Sequence, residues 1–164
     1  MGRAVNAPVT TVGVPTEIKE SEGRVALTPD GVRELERLGI NVYVQAGAGE
    51  GASIADAAYV AAGADIVPTA ADAWACDMVV KVKEPKAEEF SFLREDLVLF
   101  TYLHLAAYPD VANALVASST TAFAYETVQT KNGQLPLLAP MSEVAGRLAP
   151  QMGAHFMERT HGGR

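Results

Sequence analysis

Two apolar stretches decide the fold: MVVKVKEP at residues 78–85 and LVLFTYLHL at residues 97–105. Each begins as a short run rich in Val and Leu, which is typical of a strand buried on both faces of a parallel sheet. The first stretch then reaches Lys83, and the second reaches His104. Because ligands bind at the carboxyl ends of the strands in an open parallel sheet, we expect Lys83 and His104 to face one crevice.

The side chains in this expected crevice have chemistry suited to a small anion. A lysine can hold a carboxylate or a carbonyl oxygen, and a histidine can move a proton near neutral pH. Lys81 precedes Lys83 by two residues, so on a strand the two lysines would share one face. The alternatives are a solvated strand end for the lysines and a core histidine with satisfied hydrogen bonds for His104.

Strand and helix patterns alternate through the rest of the chain. One helix has clear limits, since Thr28 suits the N-cap, Pro29 the first turn and Gly39 the stop. An Asn132-Gly133 pair predicts a hairpin turn. Further strands are predicted at residues 10–15, 41–45, 65–67 and 121–125. Further helices are predicted at residues 56–62, 71–75, 86–93, 109–118 and 141–160. This order predicts a doubly wound α/β domain with a mostly parallel sheet, flanking helices and a long C-terminal helix.

The composition is that of a folded globular protein. The 164 residues are 49% hydrophobic and 20% charged, which suits one domain with a real core. The net charge is −7 and the isoelectric point is about 4.9. An acidic chain argues against nucleic acid or an anionic membrane surface as the main partner. No apolar run approaches the roughly 20 residues of a membrane span.

Cysteine use and the N-terminus favour a cytoplasmic protein. Cys76 is the only cysteine, so the chain has no disulfide framework. No catalytic motif surrounds Cys76, and we interpret it as a small buried residue. Residues 1–8 contain one Arg and no apolar core, so they predict a loose tail and not a signal peptide.

The glycine-rich loop at residues 46–52 allows two interpretations. Gly47, Gly49 and Ala52 fit the G-x-G-x-x-G/A spacing that cradles a dinucleotide pyrophosphate, and the loop follows a predicted strand. However, Asp56 and the Ala-rich run after it place the helix start several residues beyond the glycines. A dinucleotide loop opens directly into its helix, so a flexible connection is the alternative.

Three further positions are candidates for binding. Arg24 lies between a polar loop and a helix start, where it could clamp a small carboxylate, or be an exposed structural arginine. Ser142 and Glu143 lie at the predicted start of the long helix, where they could help hold an anion or simply cap the helix.

His155 and His161 lack a third Cys or His at metal spacing, so the sequence predicts no metal site.

Seven motifs, in order, resemble the N-terminal half of the bacterial L-alanine dehydrogenase family. The motifs are GVPTEIK at 13–19, RVALTP at 24–29, QAGAG at 45–49, KVKEP at 81–85, FTYLHLA at 100–106, AYETV at 124–128 and PLLAPMSEVAG at 136–146. The related nicotinamide nucleotide transhydrogenases share the opening motifs. The KVKEP and FTYLHLA stretches look more like the dehydrogenase.

The resemblance implies oxidative deamination of L-alanine to pyruvate and ammonium with NAD as hydride acceptor. It implies that Arg24 binds the substrate carboxylate and that Lys83 contacts the carboxylate and the carbonyl oxygen. His104 would act as an acid/base or polarise the pyruvate carbonyl. Met141 and Ser142 would lie where substrate meets cofactor, with Met141 on the substrate and Ser142 on NAD. A homo-oligomer, usually a hexamer, is also implied.

The resemblance also predicts the domain organisation. Residues 1–9 would be a flexible tail, residues 10–139 a Rossmann-like substrate-binding domain, and residues 140–164 a long helix leading to an NAD-binding domain. That second domain, with its glycine fingerprint, ribose-binding acid and catalytic Asp, is absent from the 164 residues. We therefore expect about half an enzyme: a fragment, a truncated gene product or one part of a split protein.

Overall fold

The computed structural model describes residues 8–163, and the predicted tail lies outside them up to residue 7. The chain divides into two compact units, of which the first ends at Ala124 and the second begins at Tyr125. The first unit holds a six-stranded sheet in the order β3-β2-β1-β4-β5-β6, and every pairing is parallel. The predicted doubly wound, parallel α/β fold is therefore confirmed.

The strands are short, as expected for a small parallel sheet. They are β1 (Thr11–Val14), β2 (Asn41–Gln45), β3 (Asp65–Val67), β4 (Met78–Val80), β5 (Val98–Thr101) and β6 (Thr121–Ala124). The helices are α1 (Pro29–Arg37), α2 (Asp56–Ala62), α3 (Ala70–Trp74), α4 (Pro109–Ser118) and α5 (Ala139–Met157). Four 3₁₀ turns lie at Glu50–Ala52, Ala87–Phe92, Tyr125–Thr127 and Arg159–His161.

Local signals set the limits of α1. The Thr28 hydroxyl accepts a hydrogen bond from the Gly31 N–H at 3.3 Å, and Pro29 is the first helical residue. Gly39 follows the helix with φ of +76°, a conformation that glycine adopts without strain. The predicted cap, first residue and stop of this helix are all confirmed.

The core forms two clusters, and β4 contributes to both. Val80 packs with Val12 of β1 and Tyr59 of α2 in one cluster, whereas Val79 packs with Trp74 and other residues in the second. Because neighbouring residues of a strand point to opposite faces, the two clusters mark the two faces of the sheet. The near-continuous apolar run of β4 therefore reflects burial on both sides.

The sequence misplaced two local features. Strand β4 ends at Val80, so Lys81 and Lys83 follow the strand and do not lie on it. Residues 86–93 were expected to form an amphipathic α-helix, but they form a 3₁₀ helix over Ala87–Phe92. In this turn the Glu89 carboxylate accepts the Lys86 N–H at 2.9 Å and the Lys81 ammonium at 2.8 Å, and the second bond comes from outside the segment, where helical periodicity gives no sign of it.

The second unit consists mainly of α5. Its N-terminal part contains a turn in which the Thr130 N–H donates to the Gln134 carbonyl at 2.9 Å, with Gly133 at φ of +85°. The predicted turn is present, but no strand flanks it within the described part of this unit, so it is not a β-hairpin. Helix α5 begins two residues before the predicted start and ends at Met157. Between residues 8 and 163, no helix is both long and apolar enough to cross a bilayer.

Candidate functional site

A group of ionisable residues of the first unit lies in the loops that follow β1, β4 and β5. The order of strands reverses between β1 and β4, because the chain builds the sheet outward on one side of β1 before it crosses to the other. Such a switch point leaves a crevice beyond the strand ends, where α/β proteins bind their ligands. The loops that reach it carry Glu17, Lys19, Glu22, Arg24, Lys81, Lys83, Glu84, Tyr102 and His104.

Lys81 is held in a buried ion cluster. Its Nζ donates to Glu89 Oε1 at 2.8 Å and to Glu17 Oε2 at 3.3 Å, and the three side chains are at most 5% exposed. The charge of this buried ammonium is compensated by two carboxylates, so Lys81 has a structural role. The sequence placed Lys81 beside Lys83 on one exposed or ligand-facing strand end, and this interpretation of Lys81 is wrong.

Glu17 connects the β1 loop to the β4 loop. Besides Lys81, its carboxylate accepts the N–H of Val82 at 2.6 Å and that of Lys83 at 3.4 Å. Burial raises the pKa of Glu17, while Lys81 and the two backbone donors oppose that rise. Glu17 therefore fixes the backbone from which the Lys83 side chain projects.

Lys83 differs sharply from Lys81, although only one residue separates them. Its side chain is partly buried. Its carbonyl accepts a hydrogen bond from Thr101 Oγ1 at 2.8 Å, and the Tyr102 N–H donates to the Val82 carbonyl at 3.3 Å. No side chain among residues 8–163 forms a hydrogen bond or ion pair with the Lys83 ammonium. A partly desolvated cation of this kind favours a bound anion.

Arg24 forms a two-point ion pair with Glu22. Its Nε donates to Glu22 Oε1 at 2.8 Å, and its Nη2 donates to Oε2 at 2.5 Å. The Arg24 hydrogen bonds lower the pKa of Glu22, and the charge of Lys83 lowers it further. The charges of Tyr102 and Glu17 also act on Arg24. Arg24 is therefore close to the other groups of the crevice, with its fork partly occupied by a carboxylate.

His104 lies three residues beyond the end of β5. Its backbone has φ of +47°, which is uncommon outside glycine, and its carbonyl accepts the N–H of Ala107 at 2.8 Å. The imidazole stacks on the Tyr102 ring, with the centroids 5.9 Å apart and the planes 10° apart. His104 is exposed, so it is not the core histidine that the sequence allowed as an alternative.

A second ion pair lies beside the first cluster. Lys19 Nζ donates to Glu84 Oε1 at 2.5 Å and to the Tyr108 hydroxyl at 3.2 Å. Glu84 is 1% exposed, and its Oε2 has no hydrogen-bond partner within the described chain. Glu84 also lines an open groove of about 360 Å³ with Tyr108 and other residues. No sequence pattern predicts the Lys19–Glu84 pair, because charged residues in loops carry no periodic signal.

The glycine-rich loop is an internally bonded connection. The Gly47 N–H donates to both carboxylate oxygens of Asp56, at 3.0 and 3.2 Å. A Cβ at Gly49 would lie 2.5 Å from the Ile54 carbonyl oxygen, so this glycine permits close packing. Helix α2 begins at Asp56, four residues after Ala52. The geometry favours the connection over the pyrophosphate cradle, although the loop is tightly packed and not loose.

Met141 and Ser142 lie on α5, in the second unit. Helix α5 begins at Ala139, so Ser142 is inside the helix and is not its N-cap. The Ser142 N–H already donates to the Leu138 carbonyl at 3.2 Å. Glu143 is paired with Arg147 at 3.1 Å. The capping alternative for Ser142 is therefore wrong, and its N–H is engaged within the helix.

The chain matches a protein-family model described as "Alanine dehydrogenase/PNT, N-terminal domain" over residues 13–145. An alanine dehydrogenase of Mycobacterium tuberculosis is 60% identical over 154 residues, which are 93% of this chain and 42% of that protein. One of Geobacillus stearothermophilus is 53% identical, again over 93% of this chain and over 41% of that protein. The chain thus spans about two fifths of the length of these curated relatives.

Solved structures show the same similarity. An L-alanine dehydrogenase superposes with a TM-score of 0.90 at 52% identity, covering 94% of this chain and 43% of that one. A transhydrogenase from Sinorhizobium meliloti gives a TM-score of 0.67 at 36% identity, covering 71% of this chain and 35% of that one. The first match reproduces the parallel sheet with its flanking helices and C-terminal helix.

Proposed function

We propose that this chain, which belongs to the alanine dehydrogenase/PNT family through its N-terminal domain, is the substrate-binding part of an NAD-dependent L-alanine dehydrogenase. The reaction is the conversion of L-alanine, NAD and water into pyruvate, ammonium and NADH. One observation supports the proposal: the partly buried Lys83 ammonium, which has no hydrogen bond or ion pair among residues 8–163, shares the electrostatic surroundings of Glu22 and Arg24 at the strand ends that lead to His104.

Each of the three side chains has a role that suits its surroundings. Lys83 binds the carboxylate and the carbonyl oxygen of pyruvate, because both are anionic or become so during the reaction. Arg24 binds the carboxylate and shares its guanidinium between the substrate and Glu22. His104 is exposed and stacked on Tyr102, where it holds or releases a proton at the reacting carbonyl.

The remaining assignments rest on the matched motif at residues 136–146. We assign Met141 to substrate binding and Ser142 to NAD binding. NAD supplies the hydride acceptor when bound. The glycine-rich loop at residues 46–52 does not offer the Gly47 N–H to a pyrophosphate, since that N–H is bonded to Asp56. We therefore propose a tail at residues 1–9, a substrate domain at 10–139, and a helix at 140–164 that leads to an NAD-binding domain, in a cytoplasmic homo-oligomer.

A second candidate is the soluble subunit of a nicotinamide nucleotide transhydrogenase. The family description includes that class, and the Sinorhizobium meliloti transhydrogenase is 36% identical. A third candidate is a binding remnant that holds a 2-oxo acid without catalysis. The higher identity to alanine dehydrogenases favours the first candidate.

The first test is NADH oxidation by the purified 164-residue chain in the presence of pyruvate and ammonium, beside a calorimetric titration with pyruvate. We expect saturable pyruvate binding and no turnover, with turnover restored when an NAD-binding domain from a relative is added separately. Binding without rescue would favour the remnant. Absence of pyruvate binding would overturn the proposed substrate site, and turnover by the chain alone would require a cofactor site within these residues.

A further inference from the structure

Two histidines and a glutamate meet at the C-terminal end of α5. His155 lies in the last turn of the helix, Glu158 follows its final residue, and His161 ends the 3₁₀ turn Arg159–His161. One donor atom from each side chain lies within 4.8 Å of the others. The absence of a third Cys or His at metal spacing led to the prediction of no metal site, but the Glu158 carboxylate between His155 and His161 is a third possible ligand.

The backbone brings these three residues together. They recur every third residue, and the chain changes direction at Glu158, whose backbone is extended (φ −67°, ψ 140°) between the helix and the 3₁₀ turn. The Glu158 N–H donates to the His155 carbonyl at 3.2 Å, and the His161 N–H donates to the Glu158 carbonyl at 2.9 Å. The Gly163 N–H also donates to the Glu158 carbonyl, at 2.9 Å. The turn that presents the cluster is therefore fixed by its own hydrogen bonds.

The side chains offer donors of two kinds. The His155 and His161 rings have centroids 3.8 Å apart and are tilted by 40°. His161 Nδ1 lies 3.2 Å from Glu158 Oε2. The contact between His161 and Glu158 accounts for two of the three side chains, and the His155 ring lies against the His161 ring. Two imidazoles and one carboxylate therefore come together at one place, and imidazole nitrogens are common metal ligands.

We propose that His155, Glu158 and His161 bind one divalent transition-metal ion, with Zn²⁺ as the best fit, and that water completes the coordination. Two imidazoles and one carboxylate are a known zinc donor set, whereas Mg²⁺ and Ca²⁺ prefer oxygen ligands. Donors at about 2.1 Å from one ion lie no more than about 4.2 Å apart. Small rotations of exposed side chains suffice to reach that spacing from the present one. This inference is independent of the proposed substrate site.

The test is calorimetric titration of the metal-free 164-residue chain with ZnCl₂ in a buffer that does not chelate zinc. We expect one ion per chain. The variants H155Q, E158Q and H161Q should each bind zinc at least about tenfold more weakly. Mutation of even a hydrogen-bond partner of a metal ligand typically lowers metal affinity by that factor. Glu143→Gln, an exposed change elsewhere on α5, is the matched control, and His104→Gln tests the only other histidine. Both controls should bind zinc like the original chain.

A second readout identifies the ligands directly. Electron paramagnetic resonance of the chain with one equivalent of Cu²⁺ should show coupling to two imidazole nitrogens, and to one in H155Q or H161Q. MgCl₂ in excess should not displace the zinc. Absence of saturable zinc binding, or unchanged affinity in the H155Q/H161Q double variant with an unchanged circular-dichroism spectrum, would overturn the proposal. Loss of binding in His104→Gln would place the ion elsewhere and also overturn it.

Discussion

Lys81 and Lys83 show that the same type of side chain can have two different roles just beyond the end of one strand. Lys81 is 1% exposed and compensated by two carboxylates, so removing it would leave Glu17 and Glu89 buried without their counter-charge. Lys83 has its backbone fixed by Glu17 and Thr101, whereas no described residue forms a hydrogen bond or ion pair with its ammonium. The difference follows from where the chain leaves the sheet: the first residue after β4 turns into the protein, and the third reaches the crevice.

Lys83→Ala should weaken pyruvate binding while leaving the fold intact. A hydrogen bond to a charged group contributes about 1.5–3 kcal/mol, which corresponds to a roughly ten- to hundredfold rise in Kd. Isothermal titration calorimetry with pyruvate measures this Kd, and the far-ultraviolet circular-dichroism spectrum shows whether the fold is retained. Lys131→Ala, a change on an exposed turn of the second unit, is the matched control and should leave Kd unchanged. Equal affinity in Lys83→Ala would remove Lys83 from the proposed site.

Cys76 should be inert in the native chain. It is 5% exposed, and burial raises the pKa of its thiol to about 11. At pH 8 roughly one thiol in a thousand is then the reactive thiolate. We expect thiol reagents to modify Cys76 slowly in buffer and rapidly in guanidinium chloride, as followed by absorbance. Fast native modification at pH 8 would contradict the burial of this residue.

The same thiol has a consequence for stability. Its folded pKa is raised above its unfolded value, so the unfolded chain loses the proton first as the pH rises. This contribution to stability is complete below the unfolded pKa of about 8.5 and declines as the pH rises from there toward 11. Cys76→Ala should flatten the decline in urea-derived unfolding free energy over that range. An identical decline in the variant would assign it to other groups.

At the scale of elements, Glu17 ties the loop after β1 to the loop after β4. Its two oxygens accept hydrogen bonds from the Lys81 ammonium and from the N–H groups of Val82 and Lys83, and all three donors lie in the neighbouring loop. The two strands share only a short ladder, Val12 with Met78 and Gly13 with Val79. Glu17 therefore continues the connection between β1 and β4 beyond the end of the ladder, where the crevice opens.

Glu17→Gln should destabilise the first unit and loosen the Lys83 loop. Breaking one side of a buried ion pair costs about 3–5 kcal/mol, and we expect the lower end because glutamine keeps one acceptor oxygen. Urea denaturation followed by the fluorescence of Trp74, which is buried in the same unit, measures the loss. Glu20→Gln is the control on the same loop, and its side chain is exposed. A loss no larger than that of Glu20→Gln would show that the Glu17 carboxylate is not a structural partner of Lys81.

The sequence predicted the elements better than the contacts beyond them. Caps, glycine stops and apolar runs act locally, and they located α1 and the starts of all six strands to within a residue or two. The end of β4 was missed because Val82 continues the apolar pattern after the hydrogen-bonded ladder has ended. The acids that engage Lys81 come from residue 17 and residue 89, and no local spacing connects such distant positions. The positive φ of His104 likewise depends on the packing of its loop.

At the scale of the whole molecule, the two units differ in how much apolar surface they bury. The first unit has two buried clusters, one on each face of its sheet. Helix α5 has no buried residue, and it carries a stripe of exposed apolar side chains. The stripe consists of Met141, Val144, Leu148, Met152 and Phe156, which are 36–60% exposed. Helices in proteins are stabilised mainly by packing of such a face, so α5 is expected to open readily in the isolated chain.

Hydrogen-exchange rates, measured by mass spectrometry on the dilute chain, should therefore differ between the two units. Amides of α5 should exchange within the earliest time points, while those of β1, β2 and β4 persist until global unfolding, because their bonds lie under both clusters. Leu148→Ala should leave both rates unchanged, whereas Leu99→Ala in β5 should speed exchange in the sheet alone, since Leu99 is fully buried. Slow exchange in α5 that speeds up on dilution would mean that a second copy covers the stripe. Slow exchange at every concentration would contradict the expected instability of the helix.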